Sequence, residues 1–352
     1  MTTVIRKATA PDLLAAIPAM IERDPLGSVV LISFRGKLTH AVLRLDIPRA
    51  NEKRFAATAL GMFCKIQGAD DVVPVICSDA PIASHAELMS TLVRRFRQAG
   101  FAVRDALTMG SDGWSSHLDP DSRVHPLAEV ELSAARLDLA APNEPPERVP
   151  PADELSRRRM RDALARIRML EHDEDDEPDI FQPLYDLPFF AEKALDWSDT
   201  ELAENGPLLL YALQLPLARD TVMLQWAFGL EFGDAMCSGD TCVGIEARKI
   251  YPDVDLAAAE YMLGHGPAPD GERIARAIDL LTSLTARAED AERPAPLCML
   301  AWLHWACGRG STAGVHIGEV RAIAPEYSMG QLLASLFSSG AMPEWIFTAP
   351  SP

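Results

Sequence analysis

The pattern of apolar residues changes once along this 352-residue chain, around the proline-rich stretch APNEPPERVPPAD at residues 141–153. Before that stretch, apolar runs of strand length alternate with segments whose apolar residues recur every three to four positions, which is typical of helices. From residue 187 onward almost every segment has the helical period, and short breaks containing Gly, Pro or Asp separate the segments. The chain is also longer than a single core usually supports, so two structural regions are expected.

The first region predicts a mixed β-sheet with flanking helices. After an amphipathic helix at Ala10–Ile21, the apolar run Val29–Phe34 and the strand-like segment Thr39–Ile47 are separated by an Arg-Gly-Lys turn, so they are expected to form a hairpin. Ser84 and Glu87 match a capping box at the start of a later helix. The remaining expected elements are helix Asn51–Gln67, strand Val72–Ser78, helix Ser84–Ala99 and strand Phe101–Met109. The order β-β-α-β-α-β implies right-handed crossovers and an α+β or α/β fold class.

The last region predicts an all-helical domain with the helix-turn-helix character of tetratricopeptide-like repeats. The expected helices are Leu187–Ala194, Thr200–Leu213, Arg219–Phe228, Leu256–Leu263, Gly271–Ala288, Ala295–Cys307, Ser311–Ile323 and Ser328–Ser338. Only about one repeat pair is legible at the end of the chain, whereas a solenoid needs several repeats. We therefore expect a small helical bundle with repeat-like character.

These patterns divide the chain into three predicted segments: a mixed-sheet domain over 1–140, a charged linker and helix over 141–180, and a helical domain over 181–352. In the middle segment, an arginine-rich helix at Asp153–Leu170 runs into the acidic stretch Glu171–Asp179. Acidic residues at a helix C-terminus oppose the macrodipole, so the helix is expected to end near Leu170. The acidic stretch is then either a solvated connector or a charged arm for a partner.

Charge and hydropathy exclude some classes of function. The formal net charge is −18, whereas a nucleic-acid-binding protein needs a basic patch, so no nucleic-acid partner is expected. No apolar run reaches the roughly 18–20 residues of a membrane span, and the N-terminus lacks the apolar region of a signal peptide. The six cysteines are dispersed, unlike those of a small secreted disulfide scaffold. We expect a cytoplasmic protein without membrane contact, whose cysteines are mostly buried thiols.

Three aspartates follow strand-like segments: Asp46, Asp79 and Asp112. If the strands are parallel, their carboxyl ends meet at one edge of the sheet, where ligands of open α/β sheets bind. Carboxylates that converge there can hold Mg²⁺, and Ser78 can contact a phosphate. The alternative is that each aspartate caps a turn or the following helix.

Three other groups of side chains have both a chemical and a structural interpretation. The segment His117–His125 (HLDPDSRVH) contains two histidines and two aspartates, as in a zinc site, but its spacing matches turn chemistry better. Cys237 and Cys242 can form a redox pair or half a metal site, or lie close together by chance. His304, between Trp302 and Trp305, is expected to serve helix packing or to be exposed, because bulky apolar residues surround it.

Two stretches of the chain resemble the actinobacterial proteins grouped as domain of unknown function 4192. The opening stretch has the family's helix, strand and hairpin at Leu13–Ala19, Pro25–Ile32 and Ala41–Pro48. The closing stretch LCMLAWLHWACGRGSTAGVHIGEVRAIAPEYSMGQLLASLF has the family's spacing of Trp, Gly, Pro and Tyr. The segment Gly113–Pro126 departs from the family's W-x-S-x-x-C pattern, because it contains no cysteine. The resemblance implies a fold and a bacterial cytosolic setting, but no established activity.

The sequence contains no phosphate-binding loop, no nucleophile elbow, no H-E-x-x-H and no dinucleotide fingerprint after the first strand. We therefore assign no catalytic residue and no cofactor. The leading hypothesis is a non-enzymatic adaptor whose helical domain binds a protein partner. The alternatives are a metal- or nucleotide-dependent enzyme or small-ligand binder at the strand ends, and a subunit of a larger phage-like or secretion assembly.

Overall fold

A computed structural model describes residues 9–21, 24–36, 38–48, 50–121, 123–137, 148–170, 180–237 and 253–347. The chain forms two compact units, one of residues 1–145 with 347–352 and one of residues 146–346. The first unit contains a mixed sheet with helices and the second is all-helical, which confirms the predicted fold class. The acidic stretch 171–179 and Cys242 lie outside the described residues.

The sheet of the first unit has six strands in the order β2-β1-β3-β5-β6, with β4 also paired to β3. The strands are β1 (Ser28–Arg35), β2 (Leu38–Asp46), β3 (Asp71–Cys77), β4 (Ala102–Val103), β5 (Leu107–Gly110) and β6 (Gly113–Ser116). Strand β1 is antiparallel to both β2 and β3, β3 is parallel to β4 and β5, and β5 is antiparallel to β6. Strands β2, β3 and β5 therefore run in the same direction and end at the same edge.

Helices cover both faces of this sheet: α1 (Ala10–Ile21), α2 (Glu52–Phe63), α3 (Ala86–Gln98) and α4 (Ala128–Arg136). Leu14 and Ile17 of α1 pack with Val73 and Val75 of β3 in one core, and α4 packs on α1. Side chains alternate across a strand, so the buried Val72 of β3 faces the opposite side. There α3 packs on β3 and on α2.

The structure differs from the predicted elements near the middle of the first unit. The single strand predicted at Phe101–Met109 is split into β4 and β5 by residues 104–106, where Asp105 Oδ1 accepts a hydrogen bond from the Ala106 backbone N–H (2.8 Å). The predicted capping box of Ser84 and Glu87 is wrong. Helix α3 begins at Ala86 after a 3₁₀ turn over Ile82–His85, and no side chain caps it.

The second unit consists of helices α5 to α14 in the described ranges. They are α5 (Glu154–Leu170), α6 (Leu187–Ala194), α7 (Asp199–Ala212), α8 (Pro216–Phe228), α9 (Leu230–Met236), α10 (Val254–Met262), α11 (Gly271–Arg287), α12 (Pro294–Ala306), α13 (Gly310–Ile323) and α14 (Ser328–Ser338). Every residue of α12 is buried, and α11, α13, α14 and α8 pack against it. Gly308 lies in the turn that follows α12 and has a left-handed φ of 76°, a conformation that favours glycine.

Helix α5, predicted as part of a separate charged segment, packs within the helical unit. Its Met160, Leu164 and Ile167 are buried in the same core as α7 and α11. On its outer side, Arg168 forms an ion pair with Glu292 at 2.8 Å. Arg161 likewise pairs with Glu289 at 3.1 Å, so two arginines of this helix are tied to the helical unit. None of the helices in the described ranges combines the length and apolar character that crossing a membrane requires.

Candidate functional site

The three aspartates predicted to hold a metal lie at one edge of the sheet but do not converge. Strand β1 lies between β2 and β3, and its Ser28 is paired with Asp46 on one side and with Cys77 on the other. The Asp46 side chain is 82% exposed and forms an ion pair with Arg44 at 2.9 Å. Asp46 is thus separated by a whole strand from the segment that carries Asp79.

The chain itself occupies the crevice at the ends of β3 and β5. Asp112 Oδ1 accepts a hydrogen bond from the Ile82 backbone N–H at 2.9 Å, so this carboxylate holds a turn. A Cβ on Gly110 would lie 2.7 Å from the Ala80 carbonyl oxygen, which shows how closely the two segments approach. Among the described residues, no group of three or more His, Cys, Asp or Glu can hold a metal ion. The metal site therefore stays a prediction without support from this geometry.

The two histidines of the HLDPDSRVH segment have different partners. His125 exchanges backbone hydrogen bonds with Trp114 and stacks on its indole at 4.4 Å between ring centroids. His117 is bonded through Nε2 to the Thr108 hydroxyl of β5 at 2.8 Å. This arrangement agrees with the structural interpretation of the segment. His117 also lines an open groove beside helix α3.

An open groove of about 620 Å³ lies beside helix α3, and we call it the α3 groove. Its first wall is one side of α3, and its second wall is the segment that follows β6. The lining residues are Met89, Ser90, Val93, Arg94, Arg97, Gln98, His117 and Leu118. The groove is wide open to solvent, so any ligand in it keeps one side exposed.

The amphipathic pattern of α3 places these side chains. Leu88, Leu92 and Phe96 recur at a helical spacing and are buried. One position further round the helix, Met89 and Val93 are also nearly covered and form an apolar floor. The polar stripe follows at the next positions of the helix, where Ser90, Arg94 and Arg97 are exposed.

One wall of the α3 groove carries positive charge, from Arg94 and Arg97. Neither Arg94 nor Arg97 has an ion pair or a side-chain hydrogen bond among the described residues. Other arginines have carboxylate partners; for example, Arg273 forms an ion pair with Glu192 at 2.6 Å. Burial lowers the pKa of His117, and the Asp105 carboxylate opposes this only in part, so the imidazole is neutral near pH 7. The groove thus presents two uncompensated guanidinium groups in a chain of net charge −18.

His304 lies inside the α12–α13 hairpin, as the packing interpretation predicts. Its side chain is 9% exposed, and its ring centroid is 5.3 Å from that of His316 in α13. His316 Nδ1 is 3.7 Å from Glu319 Oε1, and Arg293 forms an ion pair with the other oxygen of Glu319 at 3.1 Å. Burial, helped by His316 and Arg309, lowers the pKa of His304 to about 3.

Sequence reasoning missed the partners of His304. His316 and Glu319 are three residues apart on α13, so their i, i+3 spacing was a usable signal for a shared helical face. Both side chains are as inaccessible as His304 itself. We call His304, His316, Glu319 and Arg293 the hairpin cluster. The cluster places the His316 imidazole beside the Glu319 carboxylate. Both groups are buried, so a substrate in solvent cannot reach them.

The cysteines give no evidence of redox chemistry in the described residues. Cys64, Cys77, Cys237, Cys298 and Cys307 are free thiols. Burial raises the pKa of Cys237 to about 11, so its thiol stays protonated and is a poor nucleophile. The predicted pairing with Cys242 lies outside the described residues.

Comparison with known proteins identifies the family of the chain. A family model described as a domain of unknown function, DUF4192, matches residues 11–235 and 255–344, which include most of both units. The chain belongs to the DUF4192 family. No curated protein and no solved structure matches it. All lining residues of the α3 groove fall within the matched part of this DUF4192 chain.

Proposed function

We propose that this DUF4192 protein is a non-enzymatic cytoplasmic adaptor that recognises an anionic group of its partner in the α3 groove. The observation that carries the proposal is the pair of uncompensated guanidinium groups, Arg94 and Arg97, on the wall of an open groove. The protein has 51 acidic and 33 basic residues, so carboxylates for internal ion pairs are plentiful. Arginines that lack one despite that excess are available to an external anion.

The chemistry of arginine favours this role. A guanidinium group presents a planar set of donors that matches carboxylate or phosphate oxygens, and its charge persists at every physiological pH. Arg94 and Arg97 are neighbours on one helical face, so they repel each other until an anion lies between them. A bound anion therefore relieves repulsion as well as forming new hydrogen bonds.

The sequence placed partner binding on the helical domain, but the support from geometry is stronger for the α3 groove. The helical unit exposes individual apolar side chains on several helices, such as Leu217 of α8 and Leu332 of α14. Scattered apolar residues of this kind are common on protein surfaces. The free thiols support the cytoplasmic part of the proposal, because disulfides are rare in reducing compartments. Membership of a larger assembly stays a prediction.

The test is an equilibrium binding measurement with a fluorescein-labelled octaglutamate peptide, followed by fluorescence anisotropy on the full chain. The double substitution Arg94→Glu and Arg97→Glu is expected to weaken binding at least tenfold, which corresponds to about 1.4 kcal/mol. Arg95→Glu is the control for Arg94→Glu alone and for Arg97→Glu alone, with the same change of charge, since Arg95 is exposed on the same helix but does not line the groove. Equal losses in Arg95→Glu and in these two single variants would contradict the proposal, as would the absence of binding to the unmodified protein.

A further inference from the structure

We infer that the occupant of the α3 groove is a short, extended segment of a partner protein that carries both acidic and apolar side chains. This inference rests on the proposed function and goes further, because it specifies the ligand. Three features of the groove carry it: its open shape, its length along α3, and the side-by-side arrangement of an apolar floor and a cationic stripe.

The open shape favours a segment of a macromolecule. Sites for small molecules are mostly concave and cover most of the ligand surface. The α3 groove is instead widely open to solvent. A chain segment tolerates this exposure, because its outer side remains part of the partner's own hydrated surface.

The length of the groove fits a few residues of extended chain. From Met89 to Gln98 the lining side of α3 rises about 13 Å, at about 1.5 Å per residue. An extended peptide advances about 3.3 Å per residue, so about four residues lie along this wall.

The positions of the side chains define a preference. Leu118 is half-buried and Val93 is 9% exposed, so these two side chains offer apolar surface above the fully buried Met89. Arg94 and Arg97 stand one turn apart beside them, at a spacing similar to that of alternate side chains in an extended peptide. The expected segment therefore has two acidic residues in alternate positions and an adjacent apolar residue.

The net charge of the protein also favours a short acidic segment over larger anions. A nucleic acid or an anionic membrane brings many phosphates toward a protein whose net charge is −18, and the long-range repulsion opposes their approach. A short acidic segment needs only the local field of Arg94 and Arg97. The neutral His117 opposite them adds no charge, so the cationic character of the groove comes from α3 alone.

The experiment compares two fluorescein-labelled peptides, Ser-Leu-Glu-Ser-Glu-Ser and Ser-Ser-Glu-Ser-Glu-Ser, on the full-length protein at moderate salt. The leucine peptide is expected to bind about fivefold tighter, because it buries part of one apolar side chain. Leu118→Ser is expected to reduce that ratio to less than about twofold while the serine peptide binds as before. The pair Arg94→Glu and Arg97→Glu is expected to weaken both peptides.

Several outcomes would overturn the inference. Equal binding of the two peptides, with both still lost in the double arginine variant, would remove the apolar part and leave the proposed function standing. Loss of neither peptide in that variant would refute both. Tighter binding of citrate, or of a single-stranded oligonucleotide of matched charge, would identify a different class of ligand and also overturn the inference.

Discussion

The α3 groove and the hairpin cluster both place a histidine next to other polar side chains, yet their surroundings are opposite. In the groove, Arg94 and Arg97 are exposed and uncompensated, and His117 lies across an open space from them. In the hairpin, His304 and His316 are enclosed between two helices, and the Glu319 carboxylate already has Arg293 as its partner. Polar groups alone therefore do not mark a site. What distinguishes the groove from the hairpin cluster is accessible charge without a partner among the described residues.

The comparison also shows how the two units use large side chains. In the helical unit, the indoles of Trp226, Trp302 and Trp305 are buried, and each indole N–H donates to a backbone carbonyl. Trp302 and Trp305, on either side of His304 in α12, are therefore packing residues of the core. In the sheet unit, the buried aromatic rings Phe63 and Phe96 pack edge to face at 5.0 Å, and the outer side of α3 carries polar residues.

The largest expected effect comes from the core of the helical unit. Trp302→Ala is expected to lower the free energy of unfolding by about 3–5 kcal/mol, because it removes a fully buried indole. Urea denaturation followed by circular dichroism measures this change. The control Leu217→Ala removes an exposed side chain and is expected to change stability by less than about 0.5 kcal/mol. Similar values for the two variants would mean that α12 is not the centre of the core.

Burial of His304 in the hairpin cluster is expected to make the stability of the protein depend on pH. The pKa of His304 is about 3 in the folded protein and 6.5 as a model value, so the unfolded chain binds more protons between these limits. Stability is therefore full well above pH 6.5 and falls as the pH decreases, by about 1.4 kcal/mol per unit at most and by about 1.6 kcal/mol between pH 6.5 and 5.

Urea unfolding at a series of pH values, followed by tryptophan fluorescence, tests this dependence, since all the tryptophans except Trp114 lie in the helical unit. His304→Gln is expected to flatten the profile between pH 6.5 and 5. His265→Gln serves as the control, because the His265 side chain is half exposed. A flat profile in the unmodified protein contradicts the enclosed environment of His304.

The edge of the sheet gives a smaller effect that separates a structural from a metal-binding role. Asp112→Ala is expected to cost about 1 kcal/mol, since it removes the acceptor for the Ile82 backbone N–H. Asp79→Ala, at an exposed position, is expected to change little. Thermal unfolding with and without Mg²⁺ measures both. A stabilisation by Mg²⁺ that Asp79→Ala abolishes would restore the metal-site hypothesis.

The smallest expected effect on stability belongs to the groove. Arg94→Glu with Arg97→Glu is expected to lower the free energy of unfolding by less than about 1 kcal/mol, because neither side chain has a partner among the described residues and the only cost is a glutamate in the last turn of α3, where it opposes the macrodipole. A loss of more than about 2 kcal/mol in urea denaturation would show that these arginines stabilise the fold. They would then not be reserved for a ligand.

Apolar periodicity was sufficient to predict most elements of the fold. The run Val29–Phe34 predicted β1, and the ends of helices such as Leu187–Ala194 agree with those in the structure. Strand β6 was missed because its four residues include one glycine and two serines, which carry no strand signal. Helix α9 was missed because Gly229, with a φ of 103°, ends one helix and begins the next without an intervening loop.

The α3 groove could not be predicted from the sequence, for a different reason. The stripe of Ser90, Arg94 and Arg97 is visible as a helical face, but any charged face has that appearance. Whether an arginine is already neutralised depends on residues far away in the sequence. Arg136, for instance, pairs with Asp12, which is 124 positions earlier. Only tertiary structure separates such arginines from those left without a partner.

The central claim, that the uncompensated arginines of α3 form the recognition surface, is tested most directly by photo-cross-linking. The Leu of the Ser-Leu-Glu-Ser-Glu-Ser peptide is replaced by benzoylphenylalanine, the complex is irradiated, and the attachment points are mapped by mass spectrometry. We predict cross-links within residues 86–98 and 117–118, and their loss in the Arg94→Glu, Arg97→Glu variant but not in Arg95→Glu. Cross-links concentrated in residues 180–237 or 253–346 would contradict the account and return partner recognition to the helical unit.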